Sequence, residues 1–291
     1  MRWLQQPLFW ALAVTTLTTL AVLPVSHAAP RSAKTTFGKT QPVKAPSVKV
    51  QPEKTQPAKG AAAMPRPKLV FKALRHIVLD PGHGGDNLGA VGHVGTREKV
   101  LTLDIARVVA AMIRQRSDLR VSMTREDDRS VALRERPRLA NELGGDVLVS
   151  VHCNSSPDPE VHGMEVWFLA ADSSLAAGLE VVRREEGIES DAPEAARRVG
   201  ADAVITAMRL AAAHERSELL AFAVASGLRR ADTGMRLRGV RQAPFGVLKE
   251  AAMAAVVLEV GYISHPEEGQ HLLLASTHEA LARAVLIGLL E

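Results

Sequence analysis

The chain has 291 residues, 46% of them hydrophobic, enough for one sizeable domain with extra segments. Its formal charge of +4 hides two opposed parts: residues 30–75 hold 11 Lys/Arg against Glu53 alone, while residues 76–291 hold 24 Lys/Arg against 31 Asp/Glu. A globular part with seven excess acids excludes nucleic-acid binding by the fold itself.

Arg2 followed by an apolar run over residues 8–25 and the small-residue stretch Ser26-His27-Ala28 predicts a signal peptide over residues 1–28. The competing reading is an uncleaved anchor, since the run is near spanning length. No cysteine lies near the cleavage site, which argues against lipid attachment there. Membrane contact is thus expected only through the signal segment, and the mature protein is expected in the periplasm or secreted. Residues 29–75 are rich in Pro, Lys, Ala, Thr and Gln and bury no core, so they read as a basic, semi-extended, disordered linker. Such a tail is either a spacer or a contact for anionic wall or membrane polymer.

From residue 76 the pattern becomes globular. "HIVLD" (76–80) is a short apolar strand, followed by a loop with six glycines. "KVLTLDIARVVAAMIRQR" (99–116) has helical periodicity, and "LRVSMTR" (119–125) reads as a strand. "SVALRERPRLANELGG" (130–145) predicts a helix with a kink at Pro137. "DVLVSVHCN" (146–154) and "GMEVWFLA" (163–170) are strands. Residues 174–228 read as mostly helical. Strands return at "FGVLK" (245–249) and "AAVVLEVGYIS" (254–264), and a helix over 277–290 closes the chain. Strands alternating with helices predict one α/β catalytic domain over 76–291, with a mixed, mostly parallel sheet flanked by helices on both faces.

In such sheets the site lies beyond the carboxyl ends of the strands. That rule selects His83, Glu98, His152 and Glu259. Two imidazoles, a carboxylate and an open position make a catalytic zinc site, and the remaining carboxylate is a base for attacking water. Each residue has a plainer reading: His83 as an exposed turn residue, His152 as a satisfied core histidine, Glu259 as a structural ion pair, and Glu98 as an acid at a helix start. Glu259 is the sharpest anomaly, because a carboxylate inside an apolar strand is costly unless paired or protonated. The glycine loop matches neither of the spaced phosphate-binding patterns. No G-x-S-x-G elbow is present. Cys153, the only cysteine, should point away from its neighbour His152 and serve packing.

The segments "IVLDPGHGG", "GTREKVLTLDIARVV", "VSMTREDD", "LRERPRLAN", "DVLVSVHCNS", "GMEVWFL" and "VVLEVGYISHPEE" together resemble the zinc-dependent N-acetylmuramoyl-L-alanine amidases of bacterial cell walls. The resemblance implies one zinc ion on His83, Glu98 and His152, ranks Glu98 above His93, and makes Glu259 the catalytic glutamate. It implies hydrolysis of the amide joining N-acetylmuramic acid to the L-alanine of the stem peptide, in cell separation and wall remodelling. Two alternatives are a zinc peptidase cutting within the stem peptide and a non-catalytic wall-binding protein. Cys153 and His265 depart from residues common in the family without removing a ligand. Residues 171–213 resemble the regulatory insertion of cell-separation amidases, which covers the zinc until a LytM-type activator binds. By that resemblance "RREEGIESD" (183–191) supplies a blocking carboxylate, Glu186 before Glu185, and "DAVITAMRLAAA" (202–213) docks the activator. The protein is expected to be a monomer.

Overall fold

The computed structural model describes residues 74–116, 118–170, 176–186 and 201–290. The signal-peptide and linker assignments, and part of the 171–213 insertion, lie outside these residues.

Strand β1 (His76–Pro81) leads through the glycine loop into helix α1 (Glu98–Arg116). Strand β2 (Arg120–Met123), helix α2 (Glu135–Glu142), and strands β3 (Val147–Asn154) and β4 (Met164–Leu169) follow. Helices α3 (Ala176–Glu186) and α4 (Ala201–Arg230) come next, then strand β5 (Leu237–Ala243) and the single-turn helix α5 (Gly246–Lys249). Strand β6 (Ala254–Tyr262) and helices α6 (Pro266–His271) and α7 (Ala275–Leu290) complete the domain. Among the described residues, no helix is long and apolar enough to cross a membrane.

The six strands form one sheet in the order β2-β1-β3-β6-β4-β5. β2, β1, β3 and β6 run parallel; β4 is antiparallel to β6, and β5 is parallel to β4. The edge carrying the carboxyl ends of β1, β3 and β6 therefore also carries the amino ends of β4 and β5. Period-two alternation sorts the side chains to two faces. Ile77, Leu79, Val149, Val151, Cys153, Val166, Phe168, Val256 and Leu258 pack with α1, α4 and α7. Val78, Leu148, Trp167 and Val257 pack on the other face with residues of α2, α3 and α5. Each of these layers buries a Val, Leu, Ile or Phe at about 1.5–3 kcal/mol per side chain. Cys153 lies in the first layer, pointing away from His152, and burial pushes its thiol pKa well up.

Two expected elements need correction, and one helix was not expected. "FGVLK" is not a strand; its apolar residues form one helical turn, α5, that buries Val247 and Leu248. The strand lies just before it, at β5, where arginines and a glycine interrupt any apolar run because the strand is half-exposed at the sheet edge. The helix expected over 130–145 is only Glu135–Glu142. Pro137 then falls in its first turn, where the missing N–H costs no helical hydrogen bond. α6, with His265 Nδ1 accepting from the Glu268 backbone N–H, had no counterpart in the sequence reading.

Candidate metal centre

The loop after β1 is fixed from behind by two buried arginines. Arg136 donates to Pro81 O (2.7 Å), His83 O (2.6 Å) and Asp80 Oδ1 (2.9 Å). Arg125 donates to Pro81 O (3.0 Å), Gly82 O (2.7 Å) and Lys99 O (2.8 Å). Three consecutive carbonyls are thus held by guanidinium groups with matching fork geometry. Asp80 also accepts from Thr124 and Ser150. Burial alone would raise its pKa, but Arg136 and these hydroxyls hold it below the usual carboxylate range. So clamped, His83 adopts a positive φ of 60°, the only non-glycine residue described that does so.

The ring of His83 is oriented by Asn87, whose Oδ1 lies 3.0 Å from Nδ1 and also accepts from the Gly89 N–H. An oxygen that accepts a backbone N–H assigns the proton to His83 Nδ1 and leaves Nε2 facing the site. His152, at the end of β3, presents Nδ1, with the two imidazole centroids 4.9 Å apart and edge-on. A Cβ on Gly82 would meet the His152 ring at 2.4 Å, so glycine is required for this close approach. Glu98 is the first residue of α1 and fully buried; its Oε1 accepts from Cys153 N (2.9 Å) and its Oε2 from Ala90 N (2.8 Å).

These groups converge with a fourth. His83 Nε2 is 3.0 Å from Glu98 Oε2 and 3.5 Å from Glu185 Oε2. His152 Nδ1 is 3.1 Å from Glu98 Oε1 and 3.3 Å from Glu185 Oε2. Donor atoms of all four residues lie within 4.8 Å of one another. A tetrahedral ligand set at about 2.1 Å from a metal has edges of about 3.4 Å, so the spacing fits such an ion. The electrostatics agree. Burial would lower the His83 pKa, yet Glu185 and Glu98 raise it to about 10. Burial would raise Glu98, yet hydrogen bonds from His152 and His83 hold it far below the carboxylate range. Carboxylates that draw protons onto both imidazoles form a site that calls for a cation. His83 Nε2 is buried without an aligned hydrogen-bond partner.

Glu259 faces the same edge from β6, opposite His152 in register. Both of its oxygens are buried and have no hydrogen-bond partner among the described residues. Burial pushes its pKa well up, and Glu185, Glu98 and Glu165 push it further.

Of the sequence-selected residues, His83, Glu98 and His152 meet and Glu259 faces the same edge, with two revisions. His93 is exposed and outside the cluster. Glu186, ranked first as the blocking carboxylate, is also outside it; its Oε1 accepts from the Gly246 N–H, and Glu185 takes the place in the cluster. Adjacent helical residues point about 100° apart, so only one of the pair can face the site. Sequence reasoning missed Glu165, which lies directly opposite Glu259 across β4 and β6 and is bound by Arg238 (2.6 Å) and Arg241 (3.3 Å). An acid in the buried alternation of "MEVWFL" was the available signal.

A profile of the N-acetylmuramoyl-L-alanine amidase family matches residues 77–291. The chain is 29% identical over 243 residues to the N-acetylmuramoyl-L-alanine amidase AmiC of Escherichia coli O6:H1, covering 82% of this chain but 56% of that protein. It is 28% identical over 222 residues to AmiA of Escherichia coli K12, covering 75% of each. Among solved structures, the catalytic domain of the amidase CwlV from Bacillus (Paenibacillus) polymyxa var. colistinus is 27% identical with a TM-score of 0.56, covering 74% of this chain and 96% of that one.

Proposed function

Since the chain belongs to the N-acetylmuramoyl-L-alanine amidase family, we propose that it is a peptidoglycan hydrolase cleaving the amide between N-acetylmuramic acid and the L-alanine of the stem peptide. The observation that carries this reading is the convergence of His83, Glu98 and His152 beside a buried, partnerless Glu259. His83, Glu98 and His152 are assigned as holding one zinc ion; two imidazoles and a carboxylate are a common catalytic donor set for it. Zinc held there supplies Lewis acidity to the scissile carbonyl and to the attacking water.

The chain's own groups do the rest. Glu259 takes a proton from the attacking water as its oxygen bonds to the carbonyl carbon. It then places that proton on the alanine nitrogen as the C–N bond breaks, leaving a lactyl carboxylate and a free amine. Burial beside other carboxylates pushes its pKa up, which suits the delivery of the proton to the leaving amine. Asn87 and the arginine clamp keep the His83 nitrogen aimed inward.

At rest the enzyme is autoinhibited. Glu185 Oε2 lies where substrate or water would approach the ligands, supporting a role for α3 as a lid. The 171–213 insertion is then the regulatory element, and a LytM-type activator docking on it would draw Glu185 away. The docking segment 202–213 begins the long helix α4, with Met208 exposed. Export by the signal peptide to the periplasm or exterior, and function as a monomer in cell separation, complete the reading.

The test is product identity. Mass spectrometry of muropeptides after digestion should show intact stem peptides with a free L-alanine amine, and chelation followed by zinc readdition should abolish and restore the reaction. Cuts confined to bonds within the stem peptide would establish a zinc peptidase instead.

A further inference from the structure

Beside Glu259 the same face of the sheet carries two arginines that the proposed reaction does not use. Glu165, opposite Glu259, is paired on its other side with Gly239 of β5. From β5 come Arg238 and Arg241, both directed to Glu165 Oε1. Arg238 is largely occupied in structure: Nε donates to Glu165 at 2.6 Å, Nη1 to His162 O at 3.2 Å, and its guanidinium lies 5.5 Å from the Tyr262 ring centroid. Arg241 is not. Its Nε is 3.3 Å from Glu165 and its guanidinium lies 5.7 Å from the Trp167 centroid, but neither Nη group has a hydrogen-bond partner among the described residues. The side chain is 41% exposed. The neighbouring Trp167 Nε1 is buried and also lacks an acceptor.

Charge makes the second arginine surplus. One guanidinium neutralises Glu165, and Arg238 already does so at short range. Arg241 leaves a positive charge on an edge otherwise lined by Glu98, Glu185 and Glu259. It is held in orientation by a carboxylate behind it and an indole beneath it, which lowers the entropy cost of binding an anion through the two free amino groups. Its backbone lies two strand spacings across from Glu259 and two residues along, opposite Trp167, about 12 Å away in all. A carboxylate one or two residues beyond the cleaved bond reaches into that space.

We propose that Arg241, braced by Glu165, Arg238 and Trp167, is a subsite for a free carboxylate on the peptide side of the substrate; this rests on the amidase reading above. α3 packs against β5, so the movement that withdraws Glu185 also widens access to Arg241.

The test uses the full zinc-loaded chain and two synthetic dipeptides, L-alanyl-γ-D-glutamate with its α-carboxylate free or amidated, both amidated at the γ-linked end. Calorimetric titration should show the free acid binding about 10-fold more tightly, the size of one charge-assisted bidentate contact. Arg241→Gln should bind both peptides equally, and Arg241→Lys should keep part of the preference. Equal binding of the two peptides by the unaltered protein, no binding of either, or an unchanged ratio in Arg241→Gln would overturn the subsite; the first two readings need no variant to fold. Muropeptides carrying the same two groups separate the hypotheses. Cleavage at the lactyl amide with no preference sinks the subsite and keeps the amidase. Selective binding without that cleavage keeps the subsite and sinks the amidase.

Discussion

His83 and Glu185 reach the same cluster from opposite sides, and they are held in different ways. On the β1 side, His83 is fixed at its ring by Asn87 and at its carbonyl by Arg136, and Glu98 is fixed by two backbone amides. Arg136 and Glu98 are themselves buried and each makes several hydrogen bonds there, so moving one group unpairs several. On the α3 side, Glu185 rides on an 11-residue helix. Among described contacts, that helix is seated by Val181 and Val182 in the second core layer, by Glu186 on Gly246 N, and by Arg184 on Ser155 O. Among the described residues these contacts are local to one short helix, so they can open without unpacking the sheet. The difference fits the proposed division between lasting metal ligands on one side and a removable occupant on the other.

Four substitutions test that division. Glu259→Gln removes the carboxylate proposed as the base and should have the largest effect. Hydrolysis of purified peptidoglycan should fall about 10²–10⁴-fold, while zinc content, measured by atomic absorption, stays at one ion per chain. Activity near that of the unaltered protein would remove Glu259 from the mechanism. Arg136→Lys comes next. A lysine cannot reach Asp80, Pro81 and His83 together, so zinc affinity in chelator competition should fall about 10- to 100-fold. Unaltered affinity would show that the clamp supports the fold alone. Glu185→Ala should act in the opposite direction, raising basal hydrolysis about 10-fold by removing the occupant's hold on the closed state. A folded, zinc-bound Glu185→Ala protein with no gain would end the lid assignment.

Much of the fixed side was legible in the sequence. Short apolar strands ending in His83, His152 and Glu259 place polar groups at one edge by topology alone, because parallel strands collect their carboxyl ends together. The clamp was not legible: Arg125 and Arg136 lie in loop and helix segments whose approach to residues 81–83 depends on tertiary packing. β5 escaped notice because an edge strand needs no apolar run, and with it went Arg238, Arg241 and the pairing of Glu165. The lid was read only in part. "RREEGIESD" marks acids at the right place in the chain, but choosing Glu185 over Glu186 requires the rotational phase of α3, which two adjacent glutamates do not reveal.

That phase makes the fourth substitution the most discriminating, although its effect is the smallest. Glu186 points away from the cluster and accepts the Gly246 N–H at the start of α5. It is mostly buried, and burial raises its pKa against the pull of that amide. Its contact therefore seats α3 without touching the ligands. Losing one such hydrogen bond costs about 0.5–1.5 kcal/mol, so Glu186→Ala should raise basal hydrolysis only a few-fold by mass action on lid opening. The informative measurement is the double variant. If Glu186 acts only by keeping Glu185 in place, adding Glu186→Ala to Glu185→Ala should produce no further gain, a non-additivity that a cycle of basal rates detects. Independent, multiplying effects would mean that α3 obstructs the substrate through its body as well as through Glu185. The division between a fixed ligand side and a single removable carboxylate would then have to be redrawn around the whole helix.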